Sequence, residues 1–303
     1  MPPKVCARSG APHMPISTHQ VKSFAFVVRE GSISGAARRL GVSQSAVSQH
    51  ISNLEATMGA QVLIRGREGV TLTPVGQDLF HLADEYASLD QQIEERLLGH
   101  AALDRGHLTI IANAPQPALS LIARYADHYP NVSIDFTLFD WSSAMQRLQE
   151  RRVDIAIITE PAASSELYIR PIVRSRYMCY VRHDDVFAQY PQVRLRDVVR
   201  RTLILPEPGS LTQRIVSKVL ADNGLAPRRL VTMTSFPVMK EGILEGIGVG
   251  LFLSASSVSE SSLCEVGVQE LDQVFTTCAV VPKHKLGLRV TKSFMDIVED
   301  RPL

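Results

Sequence analysis

Apolar residues along the first quarter of the chain recur at helical spacing. In THQVKSFAFVVRE, residues 18–30, Val21, Phe24, Ala25 and Val28 fall at i, i+3, i+4 and i+7, one stripe on a helix that Gly31 ends. A second helix of barely two turns follows in SISGAARRLG, with Ile33, Ala36, Ala37 and Leu40 as its stripe, Ser34 placed to cap it and Gly41 to stop it. Ser43 is the next candidate cap, and Val47, Ile51, Leu54 and Met58 then share a narrow arc at about 100° per residue. The opposite side of that third helix carries Ser45, Gln49 and Ser52, with Ser48 at the margin and Gln44 in the first turn. GAQVLIRGREGVTLTPVG reads as a strand over 62–65, a tight basic turn over 66–69 and a second strand over 70–73.

From Gly76 the pattern lengthens. Apolar or small residues fall at Leu79 or Phe80, Ala83, Tyr86 or Ala87, Ile93 and Leu97, heptad-like steps that Asp90 interrupts once. A long helix with so narrow a stripe is unstable alone, so the pattern predicts a partner helix. Beyond a loop bracketed by Leu98, Gly99 and Gly106, apolar runs at 108–112, 132–139, 154–159, 177–181, 202–206, 229–233, 249–253 and 276–282 alternate with amphipathic segments at 120–129, 141–152, 210–224, 238–248 and 290–300. This is α/β alternation, a mostly parallel sheet system with helices outside, long enough to form two lobes with a cleft between them.

Composition narrows the class. At 303 residues, 45% hydrophobic and 21% charged, the chain is an ordinary globular protein of two or three domains. The net charge of +1 hides an asymmetry: residues 1–75 hold eight Lys and Arg against three Asp and Glu, a basic head of +5 on a body of −4. Cys6, Cys179, Cys264 and Cys278 are far apart and form no CxxC, which suggests neither a zinc site nor a disulfide framework and fits a reducing compartment. The first 15 residues, rich in Pro, Ala and Gly, read as a disordered extension without an apolar signal region, and IGVGLFL at 247–253 is too short to span a bilayer. The expectation is a cytoplasmic protein with no membrane contact.

Two short helices joined by a turn containing Gly make a helix-turn-helix, whose second helix enters the major groove of DNA. A groove helix needs short side chains for close approach and amides or hydroxyls that both donate and accept at base edges, which Gln44, Ser45, Ser48, Gln49 and Ser52 provide. The hairpin after it reads as a wing, with Arg65 and Arg67 at its tip placed for phosphates or the minor groove.

The residues EGSISGAARRLGVSQSAVSQHISNLEATMG and VLIRGREGVTLTPVG, within 21–76, closely resemble the LysR-type transcriptional regulators, whose pattern GS-x-S-x-AA-x-x-L-x-x-SQ-x-x-VS-x-x-I-x-x-LE-x-x-x-G they nearly complete. Val62 and Leu63 stand where Leu-Phe is usual, and Val75 where Ala is common, departures that bear on packing more than on DNA contact. The resemblance implies that Gln44, Ser45, Ser48 and Gln49 face bases and that Arg65 meets the backbone; the full candidate DNA-binding set is Ser34, Ser43, Gln44, Ser45, Ser48, Gln49, Ser52, Arg65, Arg67 and Thr73. It further implies a winged helix-turn-helix over 16–74, a dimerisation helix over 75–100 and an effector-binding domain over 106–303 similar to periplasmic binding proteins of type 2. In that domain, lobe I spans about 106–178 and 275–303 and lobe II 179–274, with crossovers at YMCYVRHDD and FTTCAVVPKH. The implied partners are double-stranded operator DNA, a small-molecule effector such as an organic acid or anion, RNA polymerase, and further copies of the chain in a homodimer or homotetramer; no cofactor or metal is implied. Ligand closure of the body would change head spacing and so DNA bending.

Open α/β sheets bind ligands beyond strand C-termini, which nominates Asn113, Ala114, Gln116, Thr159 and Glu160. The loop EPGSLTQR adds Gly209, Ser210 and Thr212 at a helix N-terminus suited to an anion, and Ser235 and Phe236 begin the opposite helix. Enzyme signatures fail: GSISG at 31–35 has Ile33 where a nucleophile elbow needs Ser, GIGVG at 246–250 precedes a strand instead of following one, and the His residues show no HxH or HExxH spacing. Two other classes stay open: a thiol redox sensor using Cys179, Cys264 or Cys278, and a small-molecule-binding protein or enzyme whose head contacts protein.

Overall fold

Serine starts and glycine ends each of the first three helices. The computed structural model describes residues 16–66, 69–97, 106–254, 256 and 262–300. The expected extension over 1–15, the wing residue Arg67 and the end of the dimerisation segment at 98–100 lie outside them. Two units, 1–97 and 98–303, divide the chain.

In the first unit, α1 (Thr18–Glu30) begins at Ser17, whose hydroxyl accepts from the His19 N–H and forms a capping box with Gln20. The cap of α2 (Ile33–Leu40) is Ser32, whose Oγ accepts from the Gly35 N–H at 3.0 Å, and not Ser34. Ser32 is the residue with extended backbone, φ −156°, whose carbonyl already accepts the first helical bond from Ala36, while Ser34 lies exposed inside the first turn. Gly41 ends α2 at φ 66°, the left-handed conformation that lets the chain turn at once into α3 (Gln44–Met58), capped by Ser43.

The hairpin of β1 (Leu63–Gly66) and β2 (Gly69–Leu72) pairs Leu63 with Leu72 and Gly66 with Gly69. The Glu55 carboxylate near the end of α3 accepts from the backbone N–H groups of Val62 and Leu63, at 3.0 and 3.4 Å, which ties the hairpin to that helix. Then α4 (Pro74–Leu97) starts with Gly76 pressed against the backbone; a Cβ there would sit 2.0 Å from the Val62 carbonyl oxygen. Since neither backbone can yield without moving an element, Gly76→Ala is expected to destabilise this unit by about 1–3 kcal/mol in a urea titration.

The heptad pattern of α4 resolves into two faces. Gly76, Phe80, Ala83, Asp84, Ala87 and Ser88 are buried against the unit's own core, which also holds Phe24, Val28, Val47, Ile51 and Leu54. Arg29 of α1 reaches across to the fully buried Asp84, its Nε donating to Oδ1 at 2.6 Å and its Nη2 to the Asp84 carbonyl and the Ser88 hydroxyl. Asp90 binds the Lys22 ammonium at 2.5 Å, beside Glu94 at 3.2 Å. On the other face Val75, Leu82, Leu89, Ile93 and Leu97 are exposed, with Leu79 and Tyr86 half-buried between them.

The second unit is a ten-stranded mixed sheet in the order β4-β3-β5-β12-β6-β10-β8-β9, with β11 beside β6 and β7 beside β11. Its elements run β3 (Gly106–Ala112), α5 (Ala118–His128), β4 (Val132–Leu138), α6 (Trp141–Gln149), β5 (Ile155–Thr159) and β6 (Leu167–Arg182). They continue through β7 (Gln192–Val193), α7 (Leu195–Val198), β8 (Thr202–Leu205), α8 (Leu211–Asp222), β9 (Arg229–Thr232), α9 (Phe236–Leu244) and β10 (Val249–Leu253), then β11 (Leu263–Val268), β12 (Val274–Pro282) and α10 (Arg289–Glu299). Strands β3, β4 and β5 are parallel, as are β8, β9 and β10; the runs of β5, β8 and β10 are continuously apolar because both faces are covered, whereas the edge strands β4 and β9 keep exposed positions. Thus Ile110, Ile155 and Ile157 face a core shared with Leu121 and Phe294, while Ile111, Ala156 and Ile158 face Met145 and Leu148.

The strand β6 is longer than the expected run at 177–181. Its residues Leu167 to Arg176 pair with β12 and Tyr177 to Tyr180 with β10, so one strand serves both halves and the hand-over falls between Arg176 and Tyr177. Pro171 concealed the first part: a proline argues against a strand interior, and here it sits beside the register shift at Thr277 and Cys278. Among the described residues, no helix is long and apolar enough to cross a membrane.

Candidate functional site

In the first unit, the wall behind α3 is anchored by Val47, Ile51 and Leu54, each 0% exposed. Gln44, Ser45, Gln49 and Ser52 are exposed on the other side and Ser48 is half-buried. The side chains of Gln44, Ser48 and Ser52 form no hydrogen bond among the described residues, whereas the Gln49 amide donates to Asn53 Oδ1 at 2.7 Å and Ser45 Oγ lies 2.9 Å from Ser43 Oγ. Ser43 also accepts from the Ala46 N–H. Thr73 is committed to the fold, its hydroxyl donating to the Gln61 carbonyl at 2.8 Å and accepting from the Gly76 N–H at 3.0 Å. Arg65 is exposed at the end of β1.

In the second unit a cavity of about 420 Å³ lies between the two halves of the sheet. Six of the expected effector residues line it: Asn113, Ala114, Ser210, Thr212, Ser235 and Phe236. The other four are engaged elsewhere. Gln116 accepts from the Ser120 hydroxyl at 2.7 Å. The Thr159 hydroxyl is buried against Thr277 Oγ1 at 2.8 Å, and Glu160 accepts from the Thr276 N–H at 2.6 Å, so both fasten β5 to β12. Gly209 offers its carbonyl to the Ser142 hydroxyl at 3.3 Å, which links the halves.

Sequence reasoning missed the N-terminus of α6 as a wall. Its Asp140 and Trp141 line the cavity with Leu119, Leu138, Phe139, Glu207, Leu211 and Leu253. Trp141 donates its indole N–H to the Thr159 carbonyl at 2.8 Å, and the Arg214 guanidinium lies 4.2 Å from its ring centroid. Burial pushes the Asp140 carboxyl up, but hydrogen bonds from the Ser143 hydroxyl and the Ser142 and Ser143 N–H groups outweigh it and hold the group below the usual carboxylate range. Asp140 is therefore ionised at neutral pH.

Comparison with known proteins decides the family. Residues 18–77 match the bacterial regulatory helix-turn-helix protein family, lysR family, and residues 101–302 match the LysR substrate binding domain. The chain belongs to the LysR family. It is a DNA-binding transcriptional regulator with an effector-binding domain. LysR relatives include the transcriptional regulator CysL of Bacillus subtilis, 27% identical over 76% of this chain and 78% of that protein, and CbbR of Rhodospirillum rubrum, 28% identical over 82% of each. Among solved structures, an OxyR variant from Pseudomonas aeruginosa covers 95% of this chain and 96% of its own, with a TM-score of 0.76 at 16% identity. A LysR-family regulator, CbnR, in complex with its target DNA covers 93% and 99%, with a TM-score of 0.50 at 16% identity. These likenesses show the fold.

Thiol chemistry in this LysR-type body is constrained by burial. It pushes Cys179 up to about 12 and Cys278 up to about 11, so neither carries an appreciable thiolate fraction at neutral pH. Cys264 is half-buried with its Sγ 2.9 Å from His183 Nδ1.

Proposed function

We propose that the protein reads operator DNA with α3, assembles as a homodimer through the exposed heptad face of α4, and responds to a small molecule in the cavity of its second unit. The observation that carries the reading is the two-sidedness of α3: a fully buried apolar wall behind, and in front a row of short amide and hydroxyl side chains, among which Gln44, Ser48 and Ser52 have no hydrogen-bond partner among the described residues. Those groups match base edges in the major groove. The exposed Arg65 supports a backbone contact from the hairpin. A dimer of such heads calls for a roughly palindromic site with half-sites on one face of the DNA. Effector and operator are then coupled by linkage, to the extent that the ligand binds the two forms with different affinity.

Gel shifts on cognate and scrambled duplexes across a salt series test the division of labour. Gln44→Ala should cost about 1–3 kcal/mol on the cognate site only. Arg65→Ala should weaken both duplexes alike and lower the salt slope by about one. Equal losses on both duplexes for Gln44→Ala would remove α3 as the reading element.

A further inference from the structure

Among the described residues, the charged side chains that line the cavity are both acidic, Asp140 and Glu207, and none is Lys, Arg or His. Asp140 already accepts from Ser142 and Ser143. Glu207 differs: it lines the cavity half-buried, its carboxylate accepts no hydrogen bond among the described residues, and its Oε2 is almost fully shielded from water. A desolvated carboxylate oxygen without a donor is costly to maintain, so it marks a place where a donor belongs.

The N-termini of α5, α6, α8 and α9 also meet the cavity, at Leu119, Trp141, Ser210 and Ser235, and favour an anion, although that of α6 is already taken by its own cap, Asp140. Each is equivalent to roughly half a positive charge, so together they only offset the two carboxylates, and what separates the ligand classes is which groups still lack a partner. The α8 terminus is further spent, since Ser210 Oγ accepts from the Gln213 N–H at 3.1 Å, and α9 has Pro237, without an N–H, in its first turn. Arg214 stacks on Trp141 but is exposed and does not line the cavity, so water and salt screen its charge. Two lining rings already carry cations of the chain, Arg214 at 4.2 Å from the Trp141 centroid and Arg147 at 4.1 Å from that of Phe139; neither arginine lines the cavity, so neither supplies a donor to a ligand inside it. A volume of about 420 Å³ falls in the range of small-molecule sites, roughly 300–1,000 Å³.

From this we infer that the effector is a small organic cation, an apolar or aromatic body bearing an ammonium or amidinium group that donates to Glu207, and not the organic acid that the helix N-termini alone suggest. The inference rests on the reading of the cavity as the effector site. Because Trp141 is the single tryptophan of the chain and lines the cavity, its emission reports occupancy of the full-length protein.

Three probes of similar shape separate the possibilities: 2-phenylethylammonium, 2-phenylethanol and 3-phenylpropanoate, each titrated against Trp141 emission and against the melting temperature. The ammonium should saturate first, followed by the alcohol, and the carboxylate last. In Glu207→Gln the ammonium should lose roughly 10- to 100-fold in affinity, as expected for a hydrogen bond to a charged group, while the alcohol changes little and so certifies a folded pocket. Tighter binding of 3-phenylpropanoate, or an ammonium affinity indifferent to Glu207→Gln, overturns the cationic class and leaves the cavity as a ligand site. If none of the three perturbs Trp141 or the melting temperature up to its solubility limit, the cavity is not the effector site and the inference falls with it.

Discussion

Replacing Leu82 and Leu89 together with glutamate is expected to leave a folded monomer that no longer protects an operator. The two side chains are 68% and 57% exposed in the isolated chain and take no part in its core, so the substitution spares the fold. In a homodimer built on this face each leucine would be buried at about 1.5–3 kcal/mol, so four of them remove roughly 6–12 kcal/mol of association free energy, enough to dissociate most dimers at micromolar concentration. Sedimentation should show a halved mass with unchanged circular dichroism, and footprints should shrink to a half-site or vanish. An unaltered mass would mean that the chain assembles through another surface.

The second large effect is expected inside the first unit. Asp84→Ala strands the Arg29 guanidinium, only 12% exposed, without its carboxylate, and removing one member of a buried pair costs about 3–5 kcal/mol. Against a typical domain stability of about 5–15 kcal/mol, that is a large share, so the unit should melt early and DNA binding should fall with it. The paired replacement Arg29→Met with Asp84→Leu should recover much of the loss, since apolar packing replaces the ion pair at similar volume. Failure of the double variant to recover any stability would show that the contacts of Arg29 with the Asp84 carbonyl and Ser88 matter more than the ion pair.

What was legible in the residues was whatever repeats locally. The stripes of α1, α2 and α3 and the runs of β3, β5, β8 and β10 follow from spacing alone, because each buries the face or faces that its periodicity marks. Ser32 was passed over for Ser34 because two serines flank the same stripe and only the backbone conformation separates them. Asp84 was invisible as a packing residue, since a carboxylate reads as a wet position until its Arg29, 55 residues away in sequence, is brought beside it. In the cavity, the rule that ligands sit beyond strand ends found the right loops but not the right side chains. Thr159 ends β5 and Glu160 follows it, yet both turn toward β12; Glu207 opens the EPGSLTQR loop but offers no anion-binding signal there, and Asp140 and Trp141 come from the connection after β4, which nothing in the pattern ranks above the rest.

The uninterrupted course of β6 sets the kind of movement open to the second unit. Since the same backbone is hydrogen-bonded to β12 up to Arg176 and to β10 from Tyr177 onward, no slack joins the halves along this path. Any reorientation of one half against the other must be taken up as added or relaxed strand twist over those few peptides. Such a joint behaves as a torsion spring: it resists stretching, permits a limited angular excursion, and restores itself when the load is removed.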